Sequence, residues 1–260
     1  MKKILALGCF CATLLMTSCL GEGGGFERSG TMPGVVEYNT KIGKNVVFFS
    51  NYEFVYADRV AKDPSIADGS CIMLSYTLKE DSPENVGALE RGYYTVLASA
   101  IAPLDNYHIA PYLTDTATLM PKEIAISNLD NSLPNNYWGL VRNNLFINTY
   151  HKSVLTGIKM SFNLSFDSDA DPVEVSGQRV YNLYLRANVL DEGKSPQQDM
   201  VSISTYNIKD FLQYAIQRER SEGNENVYFR LNYINEIDEK TNMPTWFKTD
   251  AYTYAIPKED

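Results

Sequence analysis

Few side chains in this sequence are of types and spacings that could do chemistry. There are two histidines, His108 in NYHIAPY and His151 in NTYHKS. Neither stands at a spacing from another His, Cys or carboxylate that would build a metal site or a nucleophile–base pair. Both are expected to be ordinary surface or half-buried residues, His108 in a loop and His151 at the end of a strand. The run Asp167-Ser168-Asp169-Ala170-Asp171 opens like a calcium loop. Its sixth position is Pro172, where the sharp turn needs glycine, and its twelfth is Gln178, where a bidentate glutamate is needed. It therefore reads as a solvated hairpin loop. The sequence contains no Gly-rich phosphate loop, nucleophile elbow or HExxH. No catalytic residue, metal or cofactor is expected. With 32 acidic residues, a carboxylate pair of the glycosidase kind would have to be found in space, because its spacing is not sequential.

The four cysteines divide by position. Lys2 and Lys3 precede the apolar run Ile4–Met16, which has signal-peptide length and is too short to cross a bilayer as a helix. Cys9 and Cys11 lie inside that run. Its exit, Leu15-Met16-Thr17-Ser18-Cys19, resembles the lipobox of bacterial lipoproteins. That resemblance implies cleavage after Ser18 and acylation of Cys19, so that residues 1–18 are a signal peptide. Two or more acyl chains hold a protein stably on a membrane where one does not. Cys71, in the apolar run CIML, is then the one free thiol, a small buried hydrophobe with no disulfide partner. Stability must come from a core. The net charge of −9, without a Lys/Arg run, argues against nucleic acid as a partner.

The elements come next. Residues 19–32 include GEGGG and read as a flexible tether, with order starting near Pro33. From there to Ile126, short runs rich in Val, Ile, Tyr and Phe (34–39, 45–50, 53–60, 70–78, 92–102 and 122–126) are separated by turns such as Asp68-Gly69. Short strands at this density suit a small barrel over 33–126. Asp81–Gly87 is a long loop. The polar stretch Ser127–Asn136 marks a linker, and the strands of 137–260 form a sandwich. Its long central strand is Thr156–Phe166, where Ile158, Met160, Phe162, Leu164 and Phe166 alternate with polar residues and should face the core. One amphipathic helix follows Asn207, with Ile208, Phe211, Leu212, Ala215 and Ile216 on one stripe, and stops at Gly223.

Eighteen tyrosines exceed what a core needs. Tyr137 and Trp138 stand where the two halves should meet, and junctions between domains favour concave sites. They are the candidate ligand-binding residues. The segments GVVEYN, DGSCIMLSYTL, YWGLVRNNLFINTYHK, IKMSFNLSFD, GQRVYNLYLRANVLDEG and MVSISTYNIKDFL, behind a lipoprotein-like signal, resemble the NigD-like lipoproteins of Gram-negative anaerobes. The resemblance implies an OB-like barrel followed by an immunoglobulin-like sandwich, and gives no site residue beyond Cys19. Relative to that pattern, Lys79–Arg91 is an insertion. The expectation is an all-β, non-catalytic cell-envelope lipoprotein, anchored to the outer membrane and binding an envelope protein or glycan. The alternatives are a glycan-active hydrolase and a structural subunit of a surface assembly.

Overall fold

The computed structural model describes residues 27–49, 53–112, 115–129 and 139–258. The signal peptide, Cys19 and the GEGGG run fall outside the described residues, as do Tyr137 and Trp138. The fold is all-β.

The first lobe is one sheet of β1 (Glu27–Asn39), β2 (Lys44–Phe48), β3 (Phe54–Tyr56), β4 (Cys71–Lys79), β5 (Tyr94–Thr95) and β6 (Leu97–Leu104). The order is β5-β3-β2-β1-β4-β6. Only Val96 separates β5 from β6, yet they lie at opposite ends of that order, so the sheet must curl round on itself. Val36, Val47, Phe49, Ile72, Leu74 and Leu78 fill its interior. β1 starts at Glu27, earlier than the expected end of the tether at Met32. Its first residues gain a full ladder against β4, from Glu27 opposite Lys79 to Val35 opposite Cys71. Ser29 and Thr31 add hydroxyl bonds to Thr77 (2.8 Å) and Ser75 (2.7 Å). The stretch 53–60, expected as one strand, breaks after Tyr56 into helix α1 (Asp58–Lys62), which turns Val60 into the core. The expected loop 81–87 holds a single 3-10 turn and leads into the short helix α2 (Ala88–Arg91).

The second lobe is a sandwich. Its strands are β7 (Asn106–His108), β8 (Glu123–Ile124), β9 (Asn128–Leu129), β10 (Leu140–Val141), β11 (Asn144–Thr156), β12 (Lys159–Phe166), β13 (Val173–Val175), β14 (Gln178–Asp191) and β15 (Lys194–Asn207). Helix α3 (Lys209–Ser221) precedes β16 (Asn226–Ile237), β17 (Pro244–Lys248) and β18 (Tyr252–Ala255). One sheet runs β10-β11-β15-β7, with β9 also on β11. The other runs β12-β14-β16-β17, with β8 and β13 on β14 and β18 on β16. Leu145, Ile147 and Tyr206 of the first sheet share a core with Phe162, Leu183 and Phe229 of the second. Two pairings are parallel, β14 with β16 and β15 with β7. An immunoglobulin sandwich is built from antiparallel sheets.

Three differences from the sequence reading have physical causes. The expected strand 156–166 is realised only from Lys159, after a turn at Gly157; it buries Phe162, Leu164 and Phe166, while Ile158 and Met160 are half-buried. It is an edge of its sheet and not the middle, because β14 is long enough to take β12 and β16 on its two sides. Strands β7, β8 and β9 pair into the sandwich, and Ile109, Ile126 and Leu129 join its core. Residues 105–129 therefore pack with the second half, ahead of the linker expected at Ser127–Asn136. That stretch is polar, but it carries Leu129 into the core, and residues 130–138 lie outside the described set. Finally, α3 starts one residue later than Asn207 implies. Asn207 Oδ1 accepts from Lys209 N–H at 3.0 Å, but the N-cap position is Ile208.

Candidate functional site at the junction of the two lobes

The lobes meet through a tight hairpin. β10 and β11 are joined by Arg142 and Asn143, with Val141 opposite Asn144. Arg142 has φ 56°, a left-handed conformation that a long side chain adopts at some cost. Its contacts supply the compensation. Nε donates to Glu37 Oε1 at 2.6 Å and Nη2 to Glu37 Oε2 at 3.1 Å, a bidentate fork reaching from the sandwich to β1. The guanidinium lies over the Phe48 ring, 3.9 Å from its centroid, and 5.7 Å from that of Phe54.

Behind this fork the junction is filled. Val35, Phe48 and Cys71 of the barrel share a buried cluster with Val141 and Phe146 of the sandwich, flanked by Phe54 and Leu104. Burial pushes the Cys71 thiol up to about 11, partly offset by a hydrogen bond with Thr205. A thiol so held is protonated at neutral pH and is not a nucleophile. Thr205 Oγ1 also donates to Asp105 O at 2.6 Å, and Asn106 Nδ2 donates to Asn144 Oδ1 at 3.0 Å. The segment leaving β6 is thus stitched to the ends of β11 and β15. Tyr137 and Trp138 come just before Gly139, whose carbonyl accepts from Phe146 N–H at 2.7 Å.

The buried ionisable groups of the sandwich serve packing. Glu123 on β8 and Arg186 on β14 have side chains 0 % and 2 % exposed. Arg186 Nε and Nη2 donate to the two Glu123 oxygens at 2.6 and 2.7 Å, while Nη1 and Nη2 reach Asp115 O (2.9 Å) and Thr118 O (2.7 Å). Trp246 Nε1 donates to Thr116 O at 2.9 Å. Together these pin residues 115–121 as a strap over the sheet. Glu219 on α3 accepts from Tyr181 Oη (2.7 Å), Asn224 Nδ2 (2.6 Å) and Arg179 Nε (3.1 Å). Burial pushes its carboxyl up, but these donors outweigh burial and hold it below the usual glutamate value. Both carboxylates are saturated by donors, which removes them from acid–base work.

The two histidines also have defined places. His151 is buried inside β11, not at a strand end. One ring nitrogen faces Ala125 O at 3.2 Å, the other Thr149 Oγ1 at 3.1 Å, and Phe162 packs on the ring. Burial lowers its pKa. His108 is exposed and closes β7 opposite Asn207, where a loop was expected. The run Asp167–Asp171 is tied to α3. Tyr214 donates to Ser168 O at 2.7 Å and Arg218 pairs with Asp171. No cluster of three metal-ligating side chains occurs among the described residues. Two shallow depressions of about 420 and 510 Å³ share Arg220 and Pro257 at the C-terminal end of α3.

With this geometry in hand, comparison with known proteins gives a definite likeness for the barrel. Residues 24–102 match the lipoprotein OB domain. That span ends where β6 hands the chain to the sandwich, so the barrel is an OB domain. Among solved structures, an uncharacterised protein from Parabacteroides merdae superposes with a TM-score of 0.74 at 23 % identity, covering 88 % of this chain and 100 % of that one. A candidate lipoprotein from Bacteroides fragilis gives 0.57 at 12 % identity, over 90 % and 100 % of the two chains. A protein of unknown function from Bacteroides vulgatus gives 0.50 at 10 %, over 89 % and 92 %. At these identities the likeness is one of fold, and it extends over both lobes. No curated protein matches the chain.

Proposed function

We propose that the chain is a non-catalytic, lipid-anchored lipoprotein of the outer membrane, of the NigD-like type, that works as a binding or interaction module. The observation that carries this reading is the lipoprotein OB domain starting at residue 24, immediately behind the Leu15–Cys19 motif. A lipobox-like exit and a domain characteristic of lipoproteins, five residues apart, support each other. Glu123 and Glu219 are committed to structural donors, so they are not the pair of carboxyl groups facing a cleft that a glycosidase needs. The division that the strand pairing supports is an OB domain to Leu104 and a sandwich from Asp105.

Within this reading Trp138, with Tyr137 before it, remains the proposed contact for a ligand, since both precede the junction hairpin in sequence. Mass spectrometry of the membrane-extracted protein tests the anchor: Cys19 carries acyl chains, and Cys19→Ala leaves the protein unprocessed or released from membranes. An unmodified Cys19 sinks the reading. Trp138→Ala tests the site. Loss of partner capture from native envelopes with an unchanged melting curve supports binding, whereas a lowered melting temperature with capture intact assigns the ring to packing.

A further inference from the structure

We infer that the Lys79–Arg91 loop of the OB domain docks on the surface of a zwitterionic phospholipid bilayer, with Val86 and Leu89 entering the interface. The inference rests on the lipoprotein reading, since the anchor delivers the loop to its ligand. The strand register fixes which end of the barrel the loop occupies. β1 starts at Glu27 opposite Lys79, the last residue of β4, and Leu97 at the start of β6 lies opposite Thr77. The loop leaves from Lys79 and returns to Tyr94 and Thr95, so it sits at the end where β1 emerges from the tether. The junction with the sandwich is at the opposite end, at Cys71 and Leu104, the far length of the nine-residue β4 away.

Cys19 lies eight residues before Glu27, which limits their separation to roughly 28 Å. An acylated Cys19 therefore keeps this end of the barrel within roughly 28 Å of the headgroups.

The loop itself is built to display apolar side chains. Val86 and Leu89 are 72 % and 82 % exposed, and Leu97, which opens β6 at the same end of the barrel, is 72 % exposed. Their exposure is not the looseness of an unanchored loop. Asn85 is buried, with Nδ2 donating to Lys79 O (2.8 Å) and Thr95 O (2.9 Å) and Oδ1 accepting from Thr95 N–H (2.7 Å). Arg91 spans the turn, donating to Glu84 O (2.7 Å) and Val86 O (2.8 Å). Gly87 and Gly92, both with positive φ, close α2 at its two ends. Two aliphatic side chains on a preordered loop bind a bilayer too weakly to recruit a free protein. On a short tether the effective concentration is of millimolar order, and weak docking is enough to fix orientation. Charge selects the lipid. The loop carries Glu80, Asp81, Glu84 and Glu90 against Lys79 and Arg91, so anionic headgroups repel it.

The test uses the acylated full-length protein, extracted from membranes and reconstituted in phosphatidylethanolamine–phosphatidylcholine vesicles. Leu89→Cys is labelled with a polarity-sensitive fluorophore, Cys71 being buried. Leu190→Cys, an exposed site at the far end of the sandwich strand β14, is the reference. Shielding from aqueous iodide at position 89 is expected to exceed that at position 190 by at least ~5-fold, as for a group held in the interface. Quenching by a headgroup-level nitroxide lipid should accompany it. Val86→Asp in the same background should abolish the shielding without moving the melting temperature, and anionic lipid should reduce it. Equal iodide access at the two sites overturns the inference, as does shielding that survives Val86→Asp. Shielding that persists in solution without vesicles assigns the patch to a protein contact and also overturns it. If Cys19 proves unacylated, both this inference and the lipoprotein reading fall; with Cys19 acylated and position 89 fully aqueous, only this one does.

Discussion

Glu123→Gln is the most informative single change in the sandwich. The substitution keeps the side chain's shape and removes its charge. Arg186 then loses its carboxylate while staying walled in by the strap and by Trp246, whose ring centroid is 5.6 Å away. With both side chains no more than 2 % exposed, water cannot take over the lost interaction. Breaking a buried pair from one side typically costs about 3 to 5 kcal/mol. For a lobe of about 150 residues, that corresponds to a fall in melting temperature of roughly 10 °C. The amide can still accept one bond from Arg186, but its NH₂ meets Met120 N–H, which now donates to Glu123 Oε2 at 2.7 Å, and a donor there faces a donor. The strap should loosen locally, so Trp246 fluorescence should shift to the red before global unfolding. Calorimetry and tryptophan emission read the two effects. The companion Glu123→Leu/Arg186→Met should recover most of the loss, because a buried pair replaced whole by apolar groups leaves no stranded charge. A fall of less than ~2 °C for Glu123→Gln, on the same scaling, refutes the claim that the pair is dry.

Three further outcomes follow from the same physical terms. Phe162→Ala should destabilise the sandwich by about 3 to 5 kcal/mol in urea unfolding, since a buried ring packed on His151 is replaced by a cavity. Arg142→Ala removes the fork to Glu37 and the cover on Phe48, and should cost about 1 to 2 kcal/mol because the pair is partly exposed. Its signature is separation of the two lobes into distinct calorimetric transitions, which Arg142→Lys should restore only in part. His151 makes the protein acid-sensitive. Its pKa is lowered in the folded state by burial, so below the ordinary imidazole value the unfolded chain binds a proton that the folded chain refuses. Stability is therefore whole above pH ~6.5 and declines as the pH falls beneath it. His151→Gln should flatten that part of the melting-temperature profile, and an unchanged slope contradicts the assignment.

Local patterns were readable in the sequence wherever one face alone decides burial. Phe162, Leu164 and Phe166 alternate with polar residues and are buried, and the stripe Ile208, Phe211, Leu212 and Ala215 lies against the core. The same stripe continues to Glu219, and an acid on an apolar stripe is itself a signal of a partnered carboxylate. Arg186 carried no such signal. It alternates with Leu185 and Ala187, on the face of β14 that carries Asn182, Tyr184 and Asn188. Its burial comes from a strap far away in sequence. Non-local pairing hid the lobe boundary in the same way. KEIAI reads as a strand in either lobe, and only its register on β14, Ile124 opposite Ala187, places it in the sandwich. The expected ligand residues, Tyr137 and Trp138, lie outside the described residues, so their part in the junction rests on sequence position alone.

The junction geometry narrows how such a protein could bind. A clamshell mechanism needs two lobes whose facing surfaces are apolar enough to close on a ligand yet unfilled without one. Here those surfaces are already in contact: Phe48, Val35 and Cys71 pack directly on Val141 and Phe146, and the Arg142–Glu37 fork closes the rim. Opening this contact would expose the shared cluster and part Cys71 from Thr205, so a ligand would have to outbid a packed core. A fixed angle between the lobes is the more economical use of such a joint. If the loop at one end of the OB domain sits on the bilayer, a rigid joint at the other end gives the sandwich one orientation relative to the membrane. The strands β11, β14 and β15 then run from the joint toward turns at Gly157 and Gly193. There the backbones approach so closely that a Cβ on Gly193 would lie 2.5 Å from Leu155 O. That end of the sandwich, far from the joint, is therefore held at a fixed distance from the bilayer.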